Sequence, residues 1–359
     1  MKFPYFFVGR ERPCHLNYLY KFGFINTSMN DFISVGSNAF TKNKLASCTW
    51  ILNRYCNYSC SYCWPHAHQQ QKDFMSEDTY LLAVDEVVQQ FKQNDFNAIW
   101  WSFSGGEVTF NPSYLPILEE IQQYDTMLMN LTTNLSQSIK WWEKFSKCTK
   151  NFHHVKVNGS WHGEYLKDQN KNKLFRDKLV MLRDNGIKVT CNIVVNPGEL
   201  DQTKRLLDFF NEKEIYVLLK GNRSKYNFID GYTKEEWNLI KNQAIIQKEY
   251  LATRKDYISV ILDDGSELKF NSYEELMTYN NRDYYSWKCT SGYQAITIYE
   301  NGDVCRGRIC KQEKLGSIKT GFQIHKEIKK CFTKNNCSCS GDLKMPKWKN
   351  DENNMLKVG

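Results

Sequence analysis

The 359-residue chain is 41% hydrophobic and carries a net charge of +8. That is enough apolar material for one barrel-sized domain with an appendage, or for two domains. No stretch approaches the ~18 apolar residues of a membrane span, and the apolar run at 3–8 is too short for a secretory signal core, so the chain reads as cytoplasmic and without a membrane partner. Lysine and arginine are dispersed rather than massed, which argues against nucleic acid as a partner.

Residues 1–46 read as an N-terminal extension. From 47 to 220 strand-like and helix-like segments alternate. Candidate strands run over 48–53, 98–104, 126–132, 154–160, 188–195 and 214–219, short apolar runs of which several are rich in Val and Ile. Between them, Leu81, Val84, Val88 and Phe91 share one helical face behind a Ser76 N-cap. Leu115, Leu118 and Ile121 form the next stripe. Ile139, Trp142 and Phe145 follow a predicted Ser136 cap, and Leu179 and Leu182 lead to Gly186 as a C′ residue. Leu206, Leu207 and Phe210 complete the series. Six strands with five intervening helices predict an α/β fold of parallel βα units, an open partial (β/α)6 barrel of the TIM type rather than the full eight.

Residues 221–286 break the rhythm and read as a connecting segment. Thr233-Lys234-Glu235-Glu236 is a capping box for a helix to about residue 252. Segments 259–262 and 268–270 flank Asp263-Asp264-Gly265 as a hairpin, and a second hairpin turns at Asn301-Gly302 between 294–299 and 304. A short helix is expected after Leu315-Gly316-Ser317-Ile318. Residues 287–342 therefore read as a small β-rich domain, and 343–359 as a polar tail.

Thirteen cysteines in a chain read as cytoplasmic are poor disulfide candidates. Cys56, Cys60 and Cys63 form a C-x3-C-x2-C run directly after the first candidate strand. Three thiolates on one short loop can hold three irons of a [4Fe–4S] cube and leave one open, as a catalytic zinc keeps an open position. By spacing alone zinc stays possible, because His66 and His68 follow closely. Cys289, Cys305, Cys310, Cys331, Cys337 and Cys339 form a second group, while Cys14, Cys48, Cys148 and Cys191 are scattered and read as packing residues. In parallel βα architectures active sites lie at the carboxyl ends of the strands. The second candidate strand ends in Ser104-Gly105-Gly106-Glu107, where two glycines allow close approach to the backbone and the carboxylate suits a cationic amine. Trp100, Trp101 and Trp161, near strand ends, read as core in preference to pocket lining.

The cysteine spacing, aromatic Tyr62 before the third cysteine, and Gly105-Gly106-Glu107 on the same rim occur in one order over 47–220. In these features the region resembles the radical S-adenosylmethionine (radical SAM) enzymes. The resemblance implies that Cys56, Cys60 and Cys63 ligate a [4Fe–4S] cluster whose open iron chelates the methionine part of SAM. Gly105, Gly106 and Glu107 would hold its amine, Tyr62 would lie against the adenine, Asn134 would contact SAM, and Ser160 and His162 would meet the ribose. It implies reductive cleavage of SAM to a 5′-deoxyadenosyl radical that abstracts hydrogen from a substrate. Two departures are Val108, where proline is common, and the fifth candidate strand, where Cys191 and Asn192 replace a glycine-rich pattern.

Cys289-Thr290-Ser291-Gly292, the hairpin and Cys305 resemble the SPASM or twitch auxiliary-cluster regions of some of these enzymes. That implies an auxiliary [4Fe–4S] cluster on Cys289, Cys305 and two of Cys331, Cys337 and Cys339, with Cys310 a spare thiol; structural zinc at the same cysteines is the alternative. Relatives with such regions modify peptides or oxidise alcohols and amino sugars, which leaves the substrate open between small molecule and peptide. A small reductant protein of flavodoxin or ferredoxin type is the implied partner. Two other classes compete: a non-catalytic iron–sulfur carrier on the same fold, and a zinc-stabilised nucleic-acid-binding module with salt-sensitive binding. The Gly-Gly-Glu turn on the rim of the cysteine loop speaks against the last.

Overall fold

The structure is a computed structural model that describes residues 32–63, 72–224, 227–246, 257–270, 276, 283–334, 337 and 339–349. The chain enters as β1 (Phe32–Ser37) and the short α1 (Asn38–Thr41), then β2 (Leu45–Asn53). There follow α2 (Glu77–Gln93), β3 (Ala98–Gly105), α3 (Tyr114–Ile121), β4 (Met127–Thr133), α4 (Ile139–Cys148) and β5 (His154–Trp161). Next come α5 (Gln169–Asp184), β6 (Lys188–Val195), α6 (Leu200–Glu212), β7 (Tyr216–Gly221) and α7 (Lys234–Ile246). β8 (Ile258–Leu262) and β9 (Glu267–Phe270) form the first predicted hairpin. The C-terminal part holds β10 (Lys288–Cys289), β11 (Ala295–Ile298), β12 (Asp303–Cys305), β13 (Lys314–Ser317), β14 (Gly321–Phe322), β15 (Lys329–Lys330), α8 (Ser340–Lys344) and β16 (Lys347–Trp348).

β2 to β7 pair in sequence order and all in parallel, as the alternation of strands and helices requires. Their period-2 alternation sorts the two faces. Trp50, Trp101, Phe103, Met129, Leu131, Val157, Ile193 and Val217 face the helices and are buried with Tyr80, Val84, Phe91, Leu118, Trp142, Phe145, Leu179 and Phe210. Each such side chain contributes about 1.5–3 kcal/mol on burial. The opposite face is polar and cross-linked: Trp100 Nε1 donates to Asn130 Oδ1 (2.7 Å), and Thr190 Oγ1 to Asn158 Oδ1 (2.6 Å). Thus Trp101 and Trp161 are core, while half-buried Trp100 belongs to the inner wall. Phe40, Leu45, Ala98, Ala295 and Met345 close the amino ends of the strands.

The sheet does not close into a barrel. At the β2 edge it continues into β11, which pairs in parallel with β2, and then antiparallel into β12, β13 and β14. The β-rich C-terminal part therefore extends the barrel's own sheet. A second sheet has the order β9-β8-β1-β16-β10-β15 and is antiparallel throughout. It draws β1 from the N-terminal extension and β16 from the tail, where Met345, Lys347 and Trp348 are buried.

Local expectations and structure differ in four places. Ser138, not Ser136, caps α4, accepting from Trp141 N (3.2 Å), because Ser136 is engaged elsewhere. Ile139 lies outside the stripe at 39% exposure. Glu214 takes a left-handed φ of 53°, so β7 starts only at Tyr216. The helix expected after Ile318 is replaced by turns and the short strands β14 and β15. The capping box forms as read, with Glu236 N donating to Thr233 Oγ1 (3.2 Å) and Thr233 N to Glu236 Oε2 (2.7 Å); α7 is described to Ile246, and 247–252 lie outside the described residues, as do Cys14, His66 and His68. Among the described residues no helix is long and apolar enough to cross a membrane.

Candidate active site

The cysteine loop leaves the carboxyl end of β2 and is gripped at once by the end of β3. Gly106 N donates to Asn53 O (2.9 Å) and Glu107 N to Tyr55 O (2.7 Å), continuing the ladder beyond both strands. A Cβ on Gly105 would stand 2.1 Å from Asn53 O, and one on Gly106 2.2 Å from Tyr55 O and 2.5 Å from Arg54 O. Gly105 also has φ 141°. Only glycine allows two backbones to run this close.

The Glu107 carboxylate, 1% exposed, accepts at Oε1 from Thr109 N (3.3 Å), Thr109 Oγ1 (2.7 Å) and Thr133 Oγ1 (2.8 Å), and at Oε2 from Asn134 N (2.6 Å). Burial pushes its pKa up and these bonds oppose the shift. It ties the ends of β3 and β4 together and so fixes Asn134. Asn134 Nδ2 donates to Asn57 Oδ1 (2.9 Å) and lies 4.0 Å from Cys56 Sγ. Its Oδ1 accepts from Ser136 N (3.0 Å), and Ser136 Oγ accepts from Asn57 Nδ2 (3.1 Å). Behind it, Lys178 from α5 donates to Leu135 O (2.8 Å).

The segment after β5 holds the loop from the other side. His162 Nδ1 lies 3.3 Å from Cys60 Sγ and 2.9 Å from Tyr62 Oη, with the His162 and Tyr62 rings stacked at 5.9 Å. Tyr165 stacks on Tyr58 at 4.0 Å and 3°, and its hydroxyl accepts from Ser59 N (2.6 Å). Glu164 accepts from Ser61 N (3.0 Å) and from Ser61 Oγ. Ser160 stands half-buried on the inner face, in register with Asn192. Replacing Tyr165 with alanine removes the stack and the hydroxyl together, each worth about 1 kcal/mol. Amide exchange across 56–63 is expected to quicken about thirtyfold, with Tyr165→Phe recovering part of the protection; unchanged exchange would show that the loop is held without this contact.

Burial pushes the Cys56 thiol up to about 11 and Cys60 up to about 12, and holds the His162 imidazole down to about 4. The two thiols and the ring are thus neutral at pH 7 until a cation draws the thiols to thiolates. Among the described residues no three His, Cys, Asp or Glu side chains are gathered tightly enough to enclose one ion. Three thiols from one loop at a strand end, with Asn134 Nδ2 4.0 Å from Cys56 Sγ, are a donor set that fits three corners of a [4Fe–4S] cube.

The Arg54 guanidinium pairs with Glu300, joining the cysteine loop to the β11–β12 turn and so to the distal cysteines. There Cys310 and Cys331 have their thiols in hydrogen-bond contact, which lowers Cys331 and raises Cys310. Cys289 lies on β10, Cys305 on β12, Cys337 packs against the core of the second sheet, and Cys339 precedes α8. Cys48 and Cys191 are buried in the barrel core, and Cys148 is buried with its thiol on Glu119 (3.2 Å), as expected of packing residues.

The sequence reading did not single out Asn57, Tyr58, Ser136, Glu164, Tyr165 or Lys178. Asn57 and Tyr58 lie inside the cysteine motif, a usable signal; the others act through contacts far along the chain.

Residues 50–210 match the family model described as Radical SAM superfamily. The matched segment takes in the cysteine loop, the Gly-Gly-Glu turn and the strands from β3 to β6, and stops short of the distal cysteines. No curated protein matches the chain. Among solved structures, histidine-tagged anSMEcpe with bound AdoMet is 15% identical, with 77% of this chain and 79% of that chain covered and a TM-score of 0.49. Streptococcus suis SuiB bound to S-adenosylmethionine is also 15% identical, with 85% of this chain and 67% of that chain covered and a TM-score of 0.49. SuiB bound to precursor peptide SuiA gives 15% identity, 82% and 62% coverage and a TM-score of 0.46.

Proposed function

We propose that the chain is a radical SAM enzyme in which Cys56, Cys60 and Cys63 hold a [4Fe–4S] cluster at the carboxyl end of β2. The observation that carries this reading is the cysteine loop locked onto Gly105-Gly106-Glu107 within a segment that matches the radical SAM family model. When bound, the cluster and SAM supply the reductive cleavage that yields methionine and a hydrogen-abstracting 5′-deoxyadenosyl radical. The chain's own residues do the placing and shielding. Gly105 and Gly106 fix where Cys56 emerges and bring backbone close to the methionine amine. Glu107 acts through Asn134, which it holds beside Cys56 as a polar contact for SAM. Tyr62 and the neutral His162 offer ring faces to the adenosine, with Ser160 beside them. Below, the polar inner wall of Ser102, Asn130, Asn158 and Thr190 faces the space into which a substrate would enter.

The distal cysteines hold an auxiliary iron–sulfur centre in a SPASM/twitch-like region. The substrate class is a peptide or a small alcohol or amino sugar, and the electron comes from a flavodoxin- or ferredoxin-type protein. Anaerobic reconstitution with iron and sulfide, followed by dithionite and SAM, tests the reading. We expect 5′-deoxyadenosine and methionine to accumulate. A loaded cluster without either product would make the protein an iron–sulfur carrier and overturn the enzyme reading.

A further inference from the structure

The geometry points to an oxyanion-binding floor inside the barrel, where Lys156 and Lys188 hold a carboxylate or phosphate group of the substrate. The inference rests on the reading of the barrel's inner face as the substrate side of a radical SAM site, and it narrows the substrate class. On each of β2 to β7 alternate residues pack against the helices, so the residues between them line the inner face. Ser102 of β3 is in register with Asn130 of β4, Asn130 with Lys156 of β5, and Lys156 with Lys188 of β6. These four side chains form one row across four adjacent strands, about 14 Å wide at the usual strand spacing. One layer below, Trp100 and Leu128 pack against the apolar group of Phe40, Leu45 and Met345 at the amino ends of the strands, so the row is the lowest polar layer. Ser160, beside the rim, lies four residues farther along β5, about 13 Å away. An anionic group on the floor thus leaves carbon several bonds away to meet the radical at the rim.

The chemistry of the row is that of a donor set. Asn130 Oδ1 is taken by Trp100 Nε1 (2.7 Å), which leaves the Asn130 Nδ2 group to offer. In the layer above, Asn158 Oδ1 is taken by Thr190 Oγ1 (2.6 Å), and Asn158 Nδ2 donates to Leu131 O (3.2 Å). The six strands β2 to β7 carry His154, Lys156, Lys188 and Lys220 on the inner face and not one Asp or Glu. Carboxylates at the rim are engaged there: Glu107 by Thr109, Thr133 and Asn134, Glu164 by Ser61, and Glu199 by Asn196 Nδ2 (2.8 Å). Like charges side by side on neighbouring strands are unfavourable by themselves. An oxyanion between Lys156 and Lys188 converts that repulsion into charge-assisted hydrogen bonds, which are the stronger kind. A cationic amino sugar is repelled by the same floor, and a neutral alcohol gains nothing from its charge.

Isothermal titration of the reconstituted full chain with inorganic phosphate and with succinate, at constant ionic strength, tests the floor. At least one of the two is expected to bind in the millimolar range or tighter; phosphate binding assigns a phosphorylated substrate, and succinate binding a carboxylated one. Lys156→Gln/Lys188→Gln is expected to weaken the affinity at least about tenfold. Lys140→Gln/Lys144→Gln, which removes the same charge from the exposed face of α4, is expected to keep it. No binding of either anion to the wild type, unchanged affinity in the Lys156/Lys188 variant, or equal weakening in both variants overturns the proposal. Circular dichroism establishes that each variant is folded. A second measurement needs no substitution: acetylation of the wild-type chain, read by mass spectrometry, is expected to slow at Lys156 and Lys188 under a saturating concentration of the bound anion, with Lys140 and Lys144 labelled as before. Equal labelling of Lys156 and Lys188 with and without the anion overturns the proposal. Neither readout uses 5′-deoxyadenosine, so failure here is distinguishable from failure of the SAM-cleavage reading.

Discussion

Replacing Cys60 with alanine is expected to lower 5′-deoxyadenosine formation at least about a hundredfold, beyond the 10–100-fold typical of residues that only support a metal ligand. Cys60 is the buried member of the motif and the one that meets His162. Its thiol is held neutral by burial, so its conversion to thiolate depends on iron. The substitution removes few contacts from the barrel core, and stability is expected to change by no more than about 1 kcal/mol. Cys48→Ala is the control: Cys48 is also buried but faces the helices of the barrel. It is expected to leave iron content and product unchanged at a small stability cost. Undiminished 5′-deoxyadenosine in Cys60→Ala, measured by chromatography after anaerobic reconstitution, would remove Cys60 from the ligand set.

Gly106→Ala is expected to be strongly damaging for a single methyl group. Its Cβ would lie 2.2 Å from Tyr55 O and 2.5 Å from Arg54 O, both backbone atoms that cannot rotate away. Either the strand end or the cysteine loop has to move. The cost is expected to exceed about 3 kcal/mol, the range reserved for overpacking and backbone strain, and the loop displacement is expected to take most of the iron with it. Gly186→Ala provides the scale. Gly186 has φ 79° but nothing within 4 Å of its would-be Cβ. There only the left-handed backbone is penalised, about 1 kcal/mol. Urea midpoints and iron content of the two variants check the comparison; wild-type stability and iron in Gly106→Ala would mean that the two backbones do not run this close.

The parallel barrel and its loaded rim were legible because their signals are local. The stripes led by Val84, Phe145 and Leu179 repeat at helical spacing, and the strands between them are short apolar runs. Misreadings occurred where two local solutions were equally good. Ser136 and Ser138 both offer a cap to α4, and only the reach of Asn57 from the cysteine loop decides that Ser136 is engaged elsewhere. For Glu107 the sequence points to a ligand but does not show that its carboxylate also accepts from Thr109, Thr133 and Asn134, the last two on the far side of α3.

Residue order alone implies a C-x3-C-x2-C loop after the first parallel strand, with a Gly-Gly-Glu turn on the neighbouring strand. Both are short motifs whose place follows from chain direction in a parallel sheet. What lies at long sequence separation needed the folded chain. β11 pairs with β2 across 248 residues, β16 turns a polar tail into a buried strand, and Cys310 meets Cys331. Burial of Arg306 and Lys347 belongs with these. A charged side chain looks like surface in any sequence window, and only the convergence of backbone carbonyls makes its interior position tolerable.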